Sequence, residues 1–244
     1  MSNLIAPKLL VEFIGTFSLI FIGAGAAAVV GGGAGLPGIT AIAFAHGLTV
    51  MAFAFAYGPV SGGHFNPSVT TAVLAAGAMR VGEAAGYIVS QFVGGVLGAI
   101  LLRTVLGGAA TGLGTPTLAH HLALGNTTVT VTPWAGFVIE AVLAFFLSTV
   151  VLSTAVAGRA RNLAPLAIGM TLTLNIIMGG PLTGAAFNPA RALGPMVATG
   201  NFNDVWLYLA APIVGAIVAA ILHTGLARLV QERTATAAVR TPAE

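Results

Sequence analysis

Two copies of one short motif stand out among the residues whose types and spacing predict chemistry. The first copy covers residues 61–68 and reads SGGHFNPS, and the second covers residues 183–190 and reads TGAAFNPA. A single Asn-Pro pair is an ordinary turn signal, but two copies with matching upstream residues are a specific one. The copies end on Asn66, Pro67 and Ser68, and on Asn188, Pro189 and Ala190.

Each motif predicts the start of a short helix. Asparagine is favoured as a helix N-cap, and proline is favoured at the first helical position. The predicted helices cover residues 67–79 and 189–199 and are about 15–20 Å long, half of a hydrocarbon core about 30 Å thick. Irregular backbone at the depth where two such helices meet is tolerated only if it is buried in protein or lines a water-filled cavity. The pair of motifs therefore predicts re-entrant half-helices that line a pore.

The other candidate residues are acids and histidines. Glu12 and Glu140 are the only acids well inside the apolar runs, and an intramembrane carboxylate is a functional candidate by default. His64 stands beside the first motif, whereas His120 and His121 are neighbours in the loop after the third span. Adjacent histidines do not face one way, so they predict no metal site. The chain has no cysteine, and no nucleophile–base pair or metal-ligand cluster falls in a span, so no enzyme and no cofactor are predicted.

The helices that position these residues must be embedded in a lipid bilayer. The chain is 57% hydrophobic and 6% charged, with a mean hydropathy of +0.99, whereas soluble domains carry about a quarter charged residues. Nine lysines and arginines in all are too few for a nucleic-acid-binding face. Gly94 and Gly98 have a spacing that lets helix backbones approach closely in lipid. Six runs are long enough to cross a bilayer, at residues 9–30, 39–57, 84–106, 133–156, 163–178 and 205–229.

The six runs divide into two similar halves. Each half has three spans, an odd number, so the two copies must be inverted relative to each other. This predicts one transmembrane domain over residues 1–230, with repeats at about 8–107 and 133–230, and a short cytoplasmic tail at 231–244. Lysine and arginine favour the cytoplasmic side. With both termini placed there, the residues on that side are Lys8, Arg80, Arg159, Arg161, Arg228, Arg233 and Arg240.

At these residues the chain resembles the major intrinsic proteins, the aquaporin and glycerol-facilitator family. The resemblance covers essentially residues 9–229, and it is carried by the paired motifs together with Arg191 after the second. Within the family the chain looks most like the plant tonoplast intrinsic proteins, through APLAIG at 164–169, Gly180-Pro181 and Gly194-Pro195. It departs from the family in the first motif, which ends in Ser68 rather than alanine.

The resemblance implies an all-α membrane fold with six transmembrane helices and two re-entrant half-helices in an inverted repeat. It also implies roles for several residues. Asn66 and Asn188 would donate hydrogen bonds at the pore midpoint. Glu12 and Glu140 would support the two re-entrant loops. His64 would either support the first loop or line the pore on its cytoplasmic side.

The resemblance further implies an outer selectivity filter formed by His46, Ile176, Ala185 and Arg191. His46 and Arg191 are expected to offer hydrogen-bond donors there, whereas Ile176 and Ala185 remove bulk and polarity. The implied function is a passive channel for water and small neutral solutes such as ammonia, with urea or hydrogen peroxide as further candidates, that excludes protons and ions. The implied assembly is a homotetramer in the lipid bilayer.

Two alternative functions stay open. Glycerol facilitators typically carry an aspartate directly after the filter arginine. Ala192 stands at that place here, so glycerol ranks low among the candidate solutes. A secondary transporter shares inverted repeats and broken helices, but it needs an ion-coupling site, and the sequence has no acidic cluster near Asn66 or Asn188. The expected location is the cell membrane (inner or plasma membrane), with the vacuolar membrane as the alternative.

Overall fold

The computed structural model describes the backbone of residues 5–31 and 35–240, and the side-chain environments of residues 5–31 and 37–230. Within this described part, six helices are long and apolar enough to cross a membrane, as the sequence predicts. We number all helices, including the two half-helices, along the chain. They are α1 Ile5–Val30, α2 Gly35–Ser61, α3 Pro67–Ala75, α4 Val81–Val105, α5 Pro133–Val156, α6 Ala164–Thr183, α7 Pro189–Thr199 and α8 Val205–Arg240.

Two of the spanning helices contain a π-helical turn, which is Leu19–Ala24 in α1 and Leu152–Val156 in α5. The long loop between α4 and α5 contains a 3-10 turn and a small hairpin. The hairpin pairs β1 (Leu122–Leu124) with β2 (Thr127–Val129) in antiparallel register. His120 and His121 lie at the start of this hairpin and are exposed.

The first half-helix and the last span end at places that differ from the prediction. α3 ends at Ala75 rather than at residue 79, because Gly77 takes a left-handed conformation with φ 76° that stops the helix. α8 continues to Arg240, so the part of the predicted tail at 231–240 is helical. Residues 241–244 of that predicted tail lie outside the described residues.

The fifth span is longer than predicted. The Gly-Gly-Pro sequence after residue 178 suggests a helix end, but α6 continues through Pro181 to Thr183. Tertiary contacts hold this last turn, because Thr183 donates its hydroxyl to Glu140 and accepts a hydrogen bond from Tyr208.

The two halves meet at glycines in α2 and α6. Gly47 and Gly169 stand at equivalent places before Asn66 and Asn188. A Cβ atom on Gly47 would lie 2.6 Å from the carbonyl oxygen of Gly169, and a Cβ atom on Gly169 would lie 2.6 Å from that of Gly47. Any side chain larger than hydrogen would therefore push α2 and α6 apart. This reciprocity is what a pseudo-twofold axis between inverted repeats requires.

Within each half, the first and third spans pack closely. The predicted close approach of the third span is confirmed, because a Cβ atom on Gly98 would lie 2.8 Å from the carbonyl oxygen of Phe17 and Gly94 packs on that of Phe13. In the second half, Gly215 of α8 packs in the same way on α5. The close contacts leave the two half-helices enclosed by the six spans.

Candidate pore

Both half-helices begin at the proline of their motif. Asn66 and Asn188 have extended backbones and serve as N-caps. The Asn66 Oδ1 accepts a hydrogen bond from the Ser68 N–H at 2.8 Å. The Asn188 Oδ1 accepts from the N–H groups of Ala190 and Arg191 at 3.0 and 3.1 Å. The local chemistry of Asn-Pro thus accounts for where each helix starts.

The two motifs bond to each other across the middle of the fold. The Asn66 Nδ2 donates to the carbonyl oxygen of Phe187 at 3.1 Å, and the Asn188 Nδ2 donates to that of Phe65 at 2.9 Å. These reciprocal bonds place the N-termini of α3 and α7 beside each other. A helix N-terminus carries roughly half a positive charge. The two N-termini therefore place about one positive charge in the same region.

Ser68, which departs from the usual alanine, adds to the contact between the halves. Its buried hydroxyl lies 2.8 Å from the Asn66 Oδ1 and 3.1 Å from the carbonyl oxygen of Phe187. The hydroxyl proton can be donated to either of these two oxygens, and both oxygens belong to the contact between the two motifs. Ala190 at the equivalent place has no such group, so this joint is asymmetric.

Glu12 holds the backbone of the first re-entrant loop. The carboxylate is fully buried. It accepts hydrogen bonds from the Ser61 hydroxyl at 2.7 Å, and from the backbone N–H groups of His64 and Phe65 at 2.9 and 2.7 Å. The Gln91 side chain of α4 donates a fourth at 2.7 Å.

Glu140 holds the second loop in the same way. This buried carboxylate accepts from the Thr183 hydroxyl at 2.6 Å, from the Ala186 N–H at 3.0 Å and from the Phe187 N–H. Glu140 has no counterpart of Gln91, since Pro212 stands at the equivalent place in α8. The carboxylate contacts are thus repeated in both halves, with one extra donor in the first.

Two tyrosines complete this support, and the sequence did not identify either as part of the site. The Tyr87 hydroxyl donates to the carbonyl oxygen of Ser61 at 2.8 Å, and the Tyr208 hydroxyl donates to that of Thr183 at 2.7 Å. Position near a span end suggests that Tyr208 is an interfacial anchor, but this interpretation is wrong because Tyr208 is fully buried. The signal available in the sequence was that each tyrosine lies in the third span of its own half.

A narrow cavity, the midpoint cavity, lies at the joint of the two motifs. Its volume is about 20 Å³, enough for a water molecule. Its polar lining is His64, Asn66 and Asn188, and its remaining wall includes the apolar side chains Leu19, Val50, Val69, Leu147, Val151, Ile168 and Leu172. His64 is fixed by its Nδ1, which lies 3.1 Å from the Thr70 hydroxyl.

A wider cavity of about 250 Å³, the outer cavity, opens beyond the second motif. Of the four predicted filter residues, His46, Ile176 and Arg191 line it. Ala185 is buried and is not part of the lining, although its neighbour Gly184 is. Much of the remaining wall comes from the loop after α4, at Thr111, Gly112, Gly114, Thr115, Pro116, Thr117 and Ala119.

The ring of His46, in the wall of the outer cavity, carries a hydrogen-bond acceptor at Nε2 rather than the donor expected from the sequence. Its Nδ1 lies 2.9 Å from the carbonyl oxygen of Ile42, and a carbonyl can only accept. The proton is therefore on Nδ1, and in the neutral ring Nε2 carries a lone pair. The Nε2 is buried and has no protein partner among the described residues.

Arg191 is held by a loop that is remote in sequence. Its guanidinium donates through Nη1 to the carbonyl oxygen of Gly114 at 2.8 Å, while its Nε has no partner among the described residues. Gly114 has φ 66°, and a Cβ atom there would lie 2.6 Å from the carbonyl oxygen of Ala24. This contact is not predictable from the sequence, because nothing in the motifs marks Gly114.

Substituting Gly114 tests this contact. We expect Gly114→Ala to displace the loop, release Arg191 into the outer cavity and lower osmotic water permeability by about tenfold, since overpacking of a tight contact costs about 1–3 kcal/mol. Gly107→Ala is the matched control, because its φ is 70°, its Cβ would meet nothing within 4 Å and it does not line the outer cavity. Stopped-flow light scattering on proteoliposomes measures the flux. Equal loss in both variants would mean that backbone strain, and not the hold on Arg191, is responsible.

The comparisons with known proteins agree with this geometry. The family described as major intrinsic protein matches residues 2–223. Aquaporin NIP1-2 from Oryza sativa subsp. japonica is 39% identical over 216 residues, which are 87% of this chain and 69% of that protein. Aquaporin TIP4-4 from Zea mays is 36% identical over 224 residues, which are 89% and 85%.

Among solved structures, the X-ray structure of the aquaglyceroporin from Plasmodium falciparum matches with a TM-score of 0.75 at 22% identity. The match covers 90% of this chain and 96% of that one. It confirms the predicted all-α fold of six spans and two half-helices. The predicted closeness to tonoplast intrinsic proteins is supported only in part, because NIP relatives match with similar or higher identity than the TIP relative.

Proposed function

This chain belongs to the major intrinsic protein family, and on that premise we propose that its pore conducts water and ammonia, with urea and hydrogen peroxide as further solutes, and excludes protons and ions. Membership in the family makes the chain an integral multi-pass membrane channel for water or small solutes, and not an enzyme. The solute range and the exclusion of ions are what the proposal adds.

The observation that carries the proposal is the meeting of two asparagine-capped half-helices at the midpoint cavity. Asn66 and Asn188 both line this cavity, and the converging helix ends together place about one positive charge beside it. A monovalent cation about 4 Å away is repelled by roughly 4 kcal/mol at an effective dielectric of 20. That energy corresponds to exclusion by about a thousandfold, whereas a neutral solute is not repelled.

The outer cavity supports solutes that both donate and accept hydrogen bonds. Arg191 offers N–H donors, the His46 ring in the lining carries an acceptor nitrogen, and Ile176 provides an apolar wall. Water and ammonia can satisfy both groups at once. Urea has the same two capacities but is larger, so we place it after ammonia.

The geometry favours a channel over an ion-coupled transporter. No aspartate or glutamate is among the described residues that line the outer and midpoint cavities. Glu12 and Glu140 instead accept hydrogen bonds from the re-entrant loops. A coupling ion would find no free carboxylate among the described residues that line these two cavities.

The proposal includes an orientation and an assembly. We place both termini in the cytoplasm of a cell membrane, and we propose a homotetramer with one pore per subunit. The absence of native cysteines makes a single introduced cysteine a clean reporter. A Gly125→Cys protein should react with an impermeant maleimide from outside intact cells, and chemical cross-linking should give a ladder that ends at four subunits.

The direct test of solute range uses one preparation of proteoliposomes. Stopped-flow light scattering would measure water, urea and glycerol fluxes, and an internal pH dye would measure alkalinisation on an ammonium gradient. We expect fluxes of water and ammonia far above those of empty vesicles, a slower urea flux and no added glycerol flux. Water flux without added ammonia flux would remove ammonia from the proposal. Saturation, or dependence on an ion gradient, would favour a transporter.

A further inference from the structure

We propose that Gly23, in the π-helical turn of α1, sets the width of the outer opening by controlling where the His46 ring lies. This inference rests on the proposed function and identifies a specificity-determining residue of the same pore. Gly23 is buried and does not line the outer cavity itself, so it acts through His46.

The first step is the contact between Gly23 and the imidazole. A Cβ atom on Gly23 would lie 2.6 Å from the Cδ2 of His46, 2.7 Å from its Cγ and 2.8 Å from its Nε2. Carbon atoms in favourable contact are about 3.5–4.0 Å apart. The ring therefore lies against the bare Cα of Gly23, in space that any other residue would fill.

The second step is that the backbone does not require glycine here. Gly23 lies within a helical turn and is not among the positive-φ glycines of the described chain. Glycine in a helix costs about 1 kcal/mol relative to alanine, so on backbone grounds alanine would be favoured. What glycine provides at this position is room for the imidazole.

The third step is the direction in which the ring would move. His46 is tied through Nδ1 to the carbonyl oxygen of Ile42 at 2.9 Å. The backbone of α2 is fixed at the following residue, because Gly47 is packed against Gly169 and Thr173. The remaining open side of the ring is the outer cavity, which His46 lines. A methyl group at Gly23 therefore drives the imidazole into the opening.

The displaced ring would hinder wide solutes more than narrow ones. An imidazole displaced towards Ile176 and Arg191 narrows the opening between them. The permeability to urea, which is wider than water, therefore falls more than the permeability to water. Gly23→Ala is therefore expected to lower urea permeability by about tenfold, which is within the range that one methyl group produces in a close-fitting site, and water permeability by only about threefold.

The test compares four variants with the wild type in proteoliposomes, with water and urea fluxes measured by stopped-flow light scattering. The variants are Gly23→Ala, Gly25→Ala, His46→Ala and the double variant Gly23→Ala/His46→Ala. Gly25 is the matched control in the same helix, because its Cβ would meet only the flexible Leu102 side chain, at 3.3 Å. We expect Gly25→Ala to behave as the wild type. We expect the Gly23→Ala effect to vanish when His46 is also truncated.

Two results would overturn the inference. One is an unchanged ratio of urea to water permeability in Gly23→Ala. The other is a loss that persists in full in the double variant, because that loss would not pass through the imidazole. A wild type that conducts water but not urea would refute the proposed solute range instead. In that case the water fluxes of the same variants, and the position of the His46 ring in an experimental structure of Gly23→Ala, still decide the inference.

Discussion

Replacing Asn188 by aspartate in an Arg191→Val background is expected to raise monovalent cation flux by at least about a hundredfold. The Arg191→Val change removes the outer cation, so that the midpoint becomes the main barrier. Aspartate remains a good N-cap and keeps the oxygen that accepts from Ala190, but it loses the Nδ2 that donates to the carbonyl oxygen of Phe65. Its negative charge cancels the roughly one positive charge of the two converging helix ends, and the cation repulsion at the midpoint falls accordingly.

The measurement is a potassium flux assay on proteoliposomes, with water flux on the same vesicles as the check of folding. The comparison is between Arg191→Val alone and Arg191→Val/Asn188→Asp. Asn203→Asp in the same background is the control. Asn203 is exposed and lines neither cavity, and the substitution adds the same charge. Intact water flux without a rise in potassium flux would show that the converging helix ends are not the cation barrier.

Removing the charge of Glu12 is expected to have the largest effect on stability. In Glu12→Gln, one of the two carboxylate oxygens becomes an NH2 group, so the two donors that now meet that oxygen face another donor. Each buried donor left unsatisfied costs about 1–3 kcal/mol. The loop that positions Asn66 should loosen. Water permeability per protein should then fall at least about tenfold, since a misplacement of about 1 Å in a fitted site can lower the rate there by about a hundredfold.

Glu83→Gln is the matched control for this prediction. Glu83 pairs with Lys8 at 2.6 Å, and both side chains are partly exposed. Exposed ion pairs contribute about 0–1 kcal/mol, so this variant should keep its flux and its thermal stability. Thermal unfolding in detergent and stopped-flow water flux would be measured on both proteins. Similar losses in both, or no loss in Glu12→Gln, would contradict the role proposed for Glu12.

The sequence predicted those features of the fold that local chemistry determines. The starts of both half-helices follow from Asn-Pro, because capping by Asn66 and Asn188 is local to the motif. The six spans follow from apolar length. The helix ends were less accurate, since the end of α6 at Thr183 depends on contacts with Glu140 and Tyr208 that lie far away in the chain.

The parts of the site that the sequence missed are all tertiary. Gln91 and Tyr87 reach the first loop from the third span, and Gly114 reaches Arg191 from a loop with no motif. The acceptor character of His46 depends on which ring nitrogen faces Ile42, and residue type alone does not determine that. Gly23 is informative only once the imidazole is seen against it.

The central claim is that a continuous, passive path passes the joint of Asn66 and Asn188. Osmotic water permeability of the reconstituted wild-type protein, measured as a function of temperature, tests it most directly. A passive aqueous pore predicts a flux far above that of empty vesicles, with an activation energy close to that of water self-diffusion. Folded, correctly inserted protein that gives no added flux, or a flux with the steep temperature dependence of the bare bilayer, would contradict the claim.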